Sequence, residues 1–180
     1  MLTRRIEISI RLQQLSLLVT DAGNTEHLLQ SYPVSTAGLG VGELNGSYQT
    51  PCGRHLIAQK IGAGAPLYAI FSARQLTGEI WTPQWAASHP GQDWILSRIL
   101  WLSGCEPGKN AGGEVDTHAR YIYIHGTHAE HLIGTAVSHG CIRMKNTDMV
   151  ALFDQVNTGT PVDIVDCQMP VGANPPRLTD

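Results

Sequence analysis

His125 and Cys141 sit sixteen positions apart, and Cys141 lies inside the run Ser138-His139-Gly140-Cys141-Ile142-Arg143-Met144. A cysteine thiol is weakly ionised at neutral pH, so a nucleophilic Cys needs a nearby base or positive electrostatics to hold its proton off. His125 and His139 are the two candidate bases. Gly140 removes a side chain where a substrate carbonyl must approach the backbone. It also lets consecutive N–H groups turn toward one point, the arrangement of an oxyanion hole. Most unpaired cysteines are small buried hydrophobes. The His-Gly pair before Cys141 and the second histidine at the end of an upstream strand favour the nucleophile.

The segments Ile124-His125-Gly126-Thr127, Ser138 to Met144 and Gly159-Thr160-Pro161-Val162 occur in this order, after Tyr32-Pro33-Val34-Ser35-Thr36 and Thr50-Pro51-Cys52-Gly53. Together they resemble the L,D-transpeptidase catalytic domain, the YkuD-type cysteine enzymes of bacterial peptidoglycan metabolism, over nearly the whole chain. The resemblance implies a mainly β fold, a closed or partly open barrel or sandwich, with one α-helix near the C-terminus at about 147–156. It implies that Cys141 attacks the carbonyl of the third residue of a stem tetrapeptide, expels D-Ala and leaves a thioester. His125 would take the thiol proton while its other ring nitrogen donates to the Gly126 carbonyl. The N–H groups of His139, Gly140 and Cys141 would bind the oxyanion, a purely structural role for His139 being equally open. Arg143 stands where the family often has Asn, and two roles are open to it: a structural ion pair or a hold on a substrate carboxylate. Ser138, as a turn former, and Thr127 join it as candidate substrate-contacting residues. A covalent carbapenem adduct on Cys141 is also implied. Water would resolve the thioester as an L,D-carboxypeptidase of muropeptide recycling; an amine of a second stem would give a 3→3 cross-link.

Composition bounds the partners. The 180 residues are 42% hydrophobic and carry a net charge of −3, which suits one domain with a real core. Lys and Arg are scattered, which argues against nucleic acid. No stretch approaches membrane length. Met1-Leu2-Thr3-Arg4-Arg5 begins like an export signal, but Glu7 and Arg11 interrupt the following apolar residues. The expectation is therefore a cytoplasmic protein, or a periplasmic one if the native N-terminus was trimmed. It is expected to be a monomer without cofactor or metal, its partner a peptidoglycan stem peptide or muropeptide. Cys52, Cys105, Cys141 and Cys167 are widely spaced and expected to form no disulfide, all but Cys141 being inert packing residues.

The elements that must position the site read as short strands. Alternation predicts strands over Ile6–Leu12, Gln14–Thr20, Leu28–Ser35, His55–Ile61 and Leu67–Leu76. The glycine-rich stretch from Gly38 to Gly53 reads as flexible loop, with no Gly-Lys-Ser/Thr to make it a phosphate cradle. The span 82–114 reads as a loop-rich insertion, which the family resemblance implies can cap the site. Within it, Trp94 to Trp101 fits either a helical stripe capped by Asp93 or a strand covered on both faces, and the family resemblance favours the strand. Tyr121–Ile124 is the clearest strand, with His125 at its end. Asn146 or Thr147 caps a helix running to Val156. Pro161–Val165 reads as an edge strand with Pro at its first position, and the tail from Cys167 as irregular.

Two other chemistries fit parts of the sequence. His125, His128 and His131 fall three apart and, with His139 and Cys141, form a zinc-like ligand set; but they run into a polar loop with no regular element to hold the rings together. A noncatalytic peptidoglycan-binding module would keep the fold without nucleophile or base, and both are present here. His27, His55, His89 and His118 read as surface or loop histidines.

Overall fold

The computed structural model describes residues 3–166. Ten strands follow one another: β1 (Thr3–Ser9), β2 (Gln14–Thr20), β3 (Glu26–Pro33), β4 (Gly53–Ile61), β5 (Ala69–Ser72), β6 (Gln75–Ile80), β7 (Ile95–Gly104), β8 (Tyr123–Thr127), β9 (Ile142–Met144) and β10 (Pro161–Val165). The short helix α1 (Pro83–Ala87) precedes β7, and α2 (Asn146–Gln155) joins β9 to β10. All ten strands form one sheet in the order β3-β2-β1-β10-β4-β7-β5-β6, with β8 branching from β7 and β9 from β8. The sheet does not close on itself, so of the expected geometries the partly open one holds.

Burial follows the pleat. Ile6 and Ile8 of β1, Leu15 and Leu17 of β2 and Ile57 of β4 are fully buried, each two residues from its neighbour on the same face. β7 differs because both its faces are covered. Leu100 and Leu102 enter the main core with Ile124, Ile142, Met144 and the α2 residues Met149, Leu152 and Phe153. Ile99 and Trp101, on the opposite face, join a second cluster with Phe71 and Tyr123, against which Cys141 packs. A strand buried on both sides loses its alternation, which is why the same residues read equally as a helical stripe. The interval 82–114 is therefore not uniformly irregular: it carries the long strand to which β8 is attached.

Several expectations are corrected. Pro161–Val165 is an interior strand, parallel to β1 and antiparallel to β4. Leu67–Leu76 is a hairpin, Ser72 pairing with Gln75 across a two-residue turn. The α2 cap position is Lys145, with no side-chain cap; the Asn146 N–H is satisfied instead by Glu130 Oε1 at 2.8 Å. His55 is a buried core residue at 2% exposure, its ring between Gly53 O and Thr117 Oγ1. Cys105 is exposed, not packed. The expected irregular tail from Cys167 lies outside the described residues. Among the described residues, no helix is long and apolar enough to cross a membrane.

Candidate active site

The Cys141 thiol is gripped by the backbone of β8 and the residues before it. Its S–H donates to Tyr121 O at 3.4 Å, and Sγ accepts from Tyr123 N–H at 3.4 Å. The parallel register pairs Ile124 with Ile142 and His125 with Arg143. Carried back one residue it sets Cys141 beside Tyr123, so Tyr123, His125, Cys141 and Arg143 share the face opposite the main core. Nucleophile and base are thus neighbours on one side of two adjacent strands. Among the described residues no hydrogen bond joins the two side chains.

His125 lies inside β8 and not at its end, and is 3% exposed. Its Nδ1 donates to Gly126 O at 2.8 Å, which fixes the tautomer and leaves Nε2 as the basic nitrogen. Gly126 has a steric reason: a Cβ there would stand 2.4 Å from Asn146 Oδ1 and 2.7 Å from Leu96 O. Asn146 fills that corner, taking Ser97 Oγ–H at 2.6 Å and donating to Thr127 O and Glu130 Oε1 at 2.7 Å each.

Electrostatics set the pair's resting state. Burial pushes the Cys141 thiol up to about 11; the Tyr123 N–H, Arg143 and Arg120 oppose this, and Asp93 reinforces it. Burial likewise drives the His125 imidazole well below its ordinary range, against the Gly126 carbonyl and Asp93. Desolvation penalises the charged form of each group. Burial thus favours the uncharged form of both groups.

The turn from Ser138 to Cys141 is pinned from both sides. Ser138 Oγ donates to Cys141 O at 2.6 Å, Thr50 Oγ1 donates to Gly140 O at 2.9 Å, and Ser138 N–H donates to Thr36 O at 2.8 Å. The glycine-rich loop before Gly53 is thus a brace for the active turn and not a free loop. Gly140 adopts φ +124°, and a Cβ there would lie 3.2 Å from Ile122 Cδ1, so only glycine turns the chain here without strain. Its N–H donates to Ser138 Oγ at 3.3 Å. The His139 and Cys141 N–H groups donate to no acceptor among the described residues.

Asp93, in the loop before β7, organises the rim. Its Oδ2 pairs with Arg143 Nη2 and lies 3.6 Å from His139 Nδ1. Arg143 is 5% exposed and its buried Nε has no partner. The ion-pair reading of Arg143 is the one the geometry carries. His139 separates two surface hollows. One, about 260 Å³, is lined by Asn45, Tyr48, Arg120, Ile122 and His139; the other, about 350 Å³, by Asp93, His128, Leu132, Val137, His139 and Arg143.

Of the residues expected at the site, His125, Gly126, His139, Gly140 and Cys141 come together. Thr127 and Ser138 are buried, at 0% and 3% exposure. The Thr127 hydroxyl accepts from Ala129 N–H, and Ser138 shapes the turn. Among the described residues no group of three or more His, Cys, Asp or Glu is placed to hold a metal ion. Asp93, Thr50 and Arg120 were not singled out for the site. No local spacing marks them, since Asp93 stands 50 positions from Arg143 and Thr50 stands 90 from Gly140.

The YkuD model, the L,D-transpeptidase catalytic domain, matches residues 3–164. YkuD of Bacillus subtilis (strain 168) is 31% identical over 153 residues, covering 78% of this chain and 86% of that protein. YcfS of Escherichia coli (strain K12) is 46% identical over 52 residues, 29% of this chain but 16% of that protein. The chain therefore spans only a small part of some curated relatives it matches. Among solved structures, L,D-transpeptidase 3 of Mycobacterium tuberculosis, in complex with a faropenem-derived adduct, superposes with TM-score 0.53 at 16% identity over 91% of this chain and 60% of that one. Bd1075 of Bdellovibrio bacteriovorus gives TM-score 0.56 at 15% identity, over 91% and 48%. The chain belongs to the L,D-transpeptidase catalytic-domain family.

Proposed function

We propose that Cys141 is the acyl-accepting nucleophile for a peptidoglycan stem tetrapeptide, and that water resolves the acyl-enzyme, so that the protein is a murein L,D-carboxypeptidase. One observation carries the reading: a thiol held by two β8-side backbone groups shares a strand face with an imidazole whose Nδ1 is already committed to Gly126. Because both groups rest uncharged, the thiol proton passes to His125 Nε2 as the carbon–sulfur bond forms, and no free thiolate builds up. The carbonyl oxygen takes up negative charge toward the His139 and Cys141 N–H groups. The carbon–nitrogen bond to D-Ala then breaks, the leaving amine taking the proton from His125. His125 next takes a proton from water as the water oxygen attacks the thioester; the carbon–sulfur bond breaks, His125 returns that proton to Cys141 sulfur, and the tripeptide acid gives up its own proton to solvent.

Two hollows of about 260 and 350 Å³ flank the turn, and the reading places one stem peptide there with water as the acceptor. Soluble muropeptides of the cytoplasmic recycling pool are the substrates this reading prefers; an exported enzyme making 3→3 cross-links is the alternative. The test is incubation with a purified disaccharide-tetrapeptide. D-Ala with tripeptide alone is expected, cross-linked dimers would establish the transferase, and no D-Ala release would refute acyl transfer.

A further inference from the structure

Two guanidinium groups, Arg143 and Arg120, act on the Cys141 thiol, and a third, Arg74, lies against the rings of the tyrosines whose backbone holds it; the three differ in their partners. Arg143 is buried and paired with Asp93. Arg120 donates to Gly42 O at 3.2 Å, Ser47 Oγ at 3.2 Å and Gln49 O at 2.8 Å. Arg74 is half-exposed, and among the described residues no carboxylate pairs with it. Its Cζ lies 5.1 Å from the Trp101 ring centroid and 4.8 Å from that of Tyr121, with Nη1 3.4 Å from Tyr123 OH. Tyr121 and Tyr123 are the two residues whose backbone grips Cys141 Sγ. Arg74 therefore brings an uncompensated positive charge to the rings beside the nucleophile.

The backbone beneath Arg74 is strained. Ser72 pairs with Gln75, so Ala73 and Arg74 form the whole loop between β5 and β6, with φ +46° and +66°. Such primed turns favour Asn and Gly, and other residues adopt them at a cost. Strain of this kind persists where the surroundings hold it and gathers at ligand clamps. Here cation–π contacts with two rings aim the guanidinium.

We propose that Arg74 is a specificity residue whose guanidinium binds a carboxylate of the acyl donor while Cys141 attacks the carbonyl nearby. The inference rests on the acyl-transfer reading of Cys141. Two carboxylates of a stem donor qualify: that of the terminal D-Ala, and the side-chain carboxylate of a third residue that carries one. A planar fork suits either.

The experiment compares kcat/KM for three disaccharide-tetrapeptides: the free acid, the C-terminal amide and the side-chain amide. The wild-type protein is expected to prefer the acid over one amide by roughly 10–100-fold, as a charge-assisted hydrogen bond allows. Whichever amide is disfavoured identifies the carboxylate. In R74G that preference falls to about threefold or less, and in R74K it is intermediate, since lysine keeps the charge without the fork. Glycine relieves the strain, so R74G should melt at or above the wild-type temperature, which separates lost recognition from lost folding. An active wild type whose preference R74G leaves unchanged, or which accepts all three donors equally, overturns the inference alone. A wild type inert to all three overturns the acyl-transfer reading and this inference with it.

Discussion

His125 is 3% exposed and anchored by a 2.8 Å bond to its neighbour's carbonyl, whereas the His139 side chain is 69% exposed and meets Asp93 at 3.6 Å. The same contrast separates the strip of β8 and the turn residues Ser138, Gly140 and Cys141 from the rim of His139, Asp93, Tyr48 and Arg74. In the strip, strand register and glycines at Gly126 and Gly140 fix the reacting atoms. In the rim, loops carry charged and aromatic side chains. On the proposed reading, the reacting atoms are those held by backbone and the substrate-selecting ones those held by side chains.

The largest effect should come from the strip. C141S is expected to lower acylation of the tetrapeptide by on the order of 10⁴–10⁶-fold, measured by D-Ala release; a rate within tenfold of wild type would move the nucleophile elsewhere. H125A should cost roughly 10²–10⁴-fold, the usual magnitude for general base catalysis. H139A should cost less than H125A. The reverse order would make His139 the base and erase the contrast between the two regions.

The pair's charge state sharpens the comparison through pH. Because burial holds His125 below the ordinary imidazole range, its basic form persists into mildly acidic solution. The acylation rate should fall only once pH drops below that range. With the thiol pushed up to about 11, alkylation of Cys141 by iodoacetamide should keep rising above pH 9. A plateau reached below pH 7 would reveal a resting thiolate instead.

Much of this strip was legible in the sequence. The His-Gly-Thr and Ser-His-Gly-Cys runs are local, so chain order alone brings their members onto one turn or strand. β2 was legible to the residue because it alternates, with one face buried. The rim was not legible: Asp93 meets Arg143, and Arg74 meets Trp101 and Tyr121, only because of strand order and the β5–β6 turn. β10 was misread as an edge because a proline at its start fits an edge, whereas here Pro161 heads a strand paired on both sides. His55 was missed because its burial comes from Thr117, 62 positions away.

Stability should show smaller effects. In G126A the added methyl has nowhere to go, with backbone and Asn146 within 2.4–2.7 Å. A loss of about 1–3 kcal/mol is expected, which calorimetry would register as a melting temperature lower by roughly 2–4 °C per kcal/mol; an unchanged value would mean that corner is loose. His55, lowered to about 4 by burial, and His125 are both kept neutral when folded. The unfolded chain binds their protons first, so stability should decline as pH falls from the ordinary imidazole value toward 4. The slope should be about 1.4 kcal/mol per pH unit for each histidine. H55Q should flatten that decline, and a variant as acid-sensitive as wild type would remove His55 from the account.

The most direct test is to mix the protein with disaccharide-tetrapeptide, quench in acid and locate the added mass by mass spectrometry. The account predicts a tripeptide-muropeptide thioester on Cys141, formed more slowly in H125A and absent in C141S. Turnover without that adduct, or an adduct on any other residue, would contradict it.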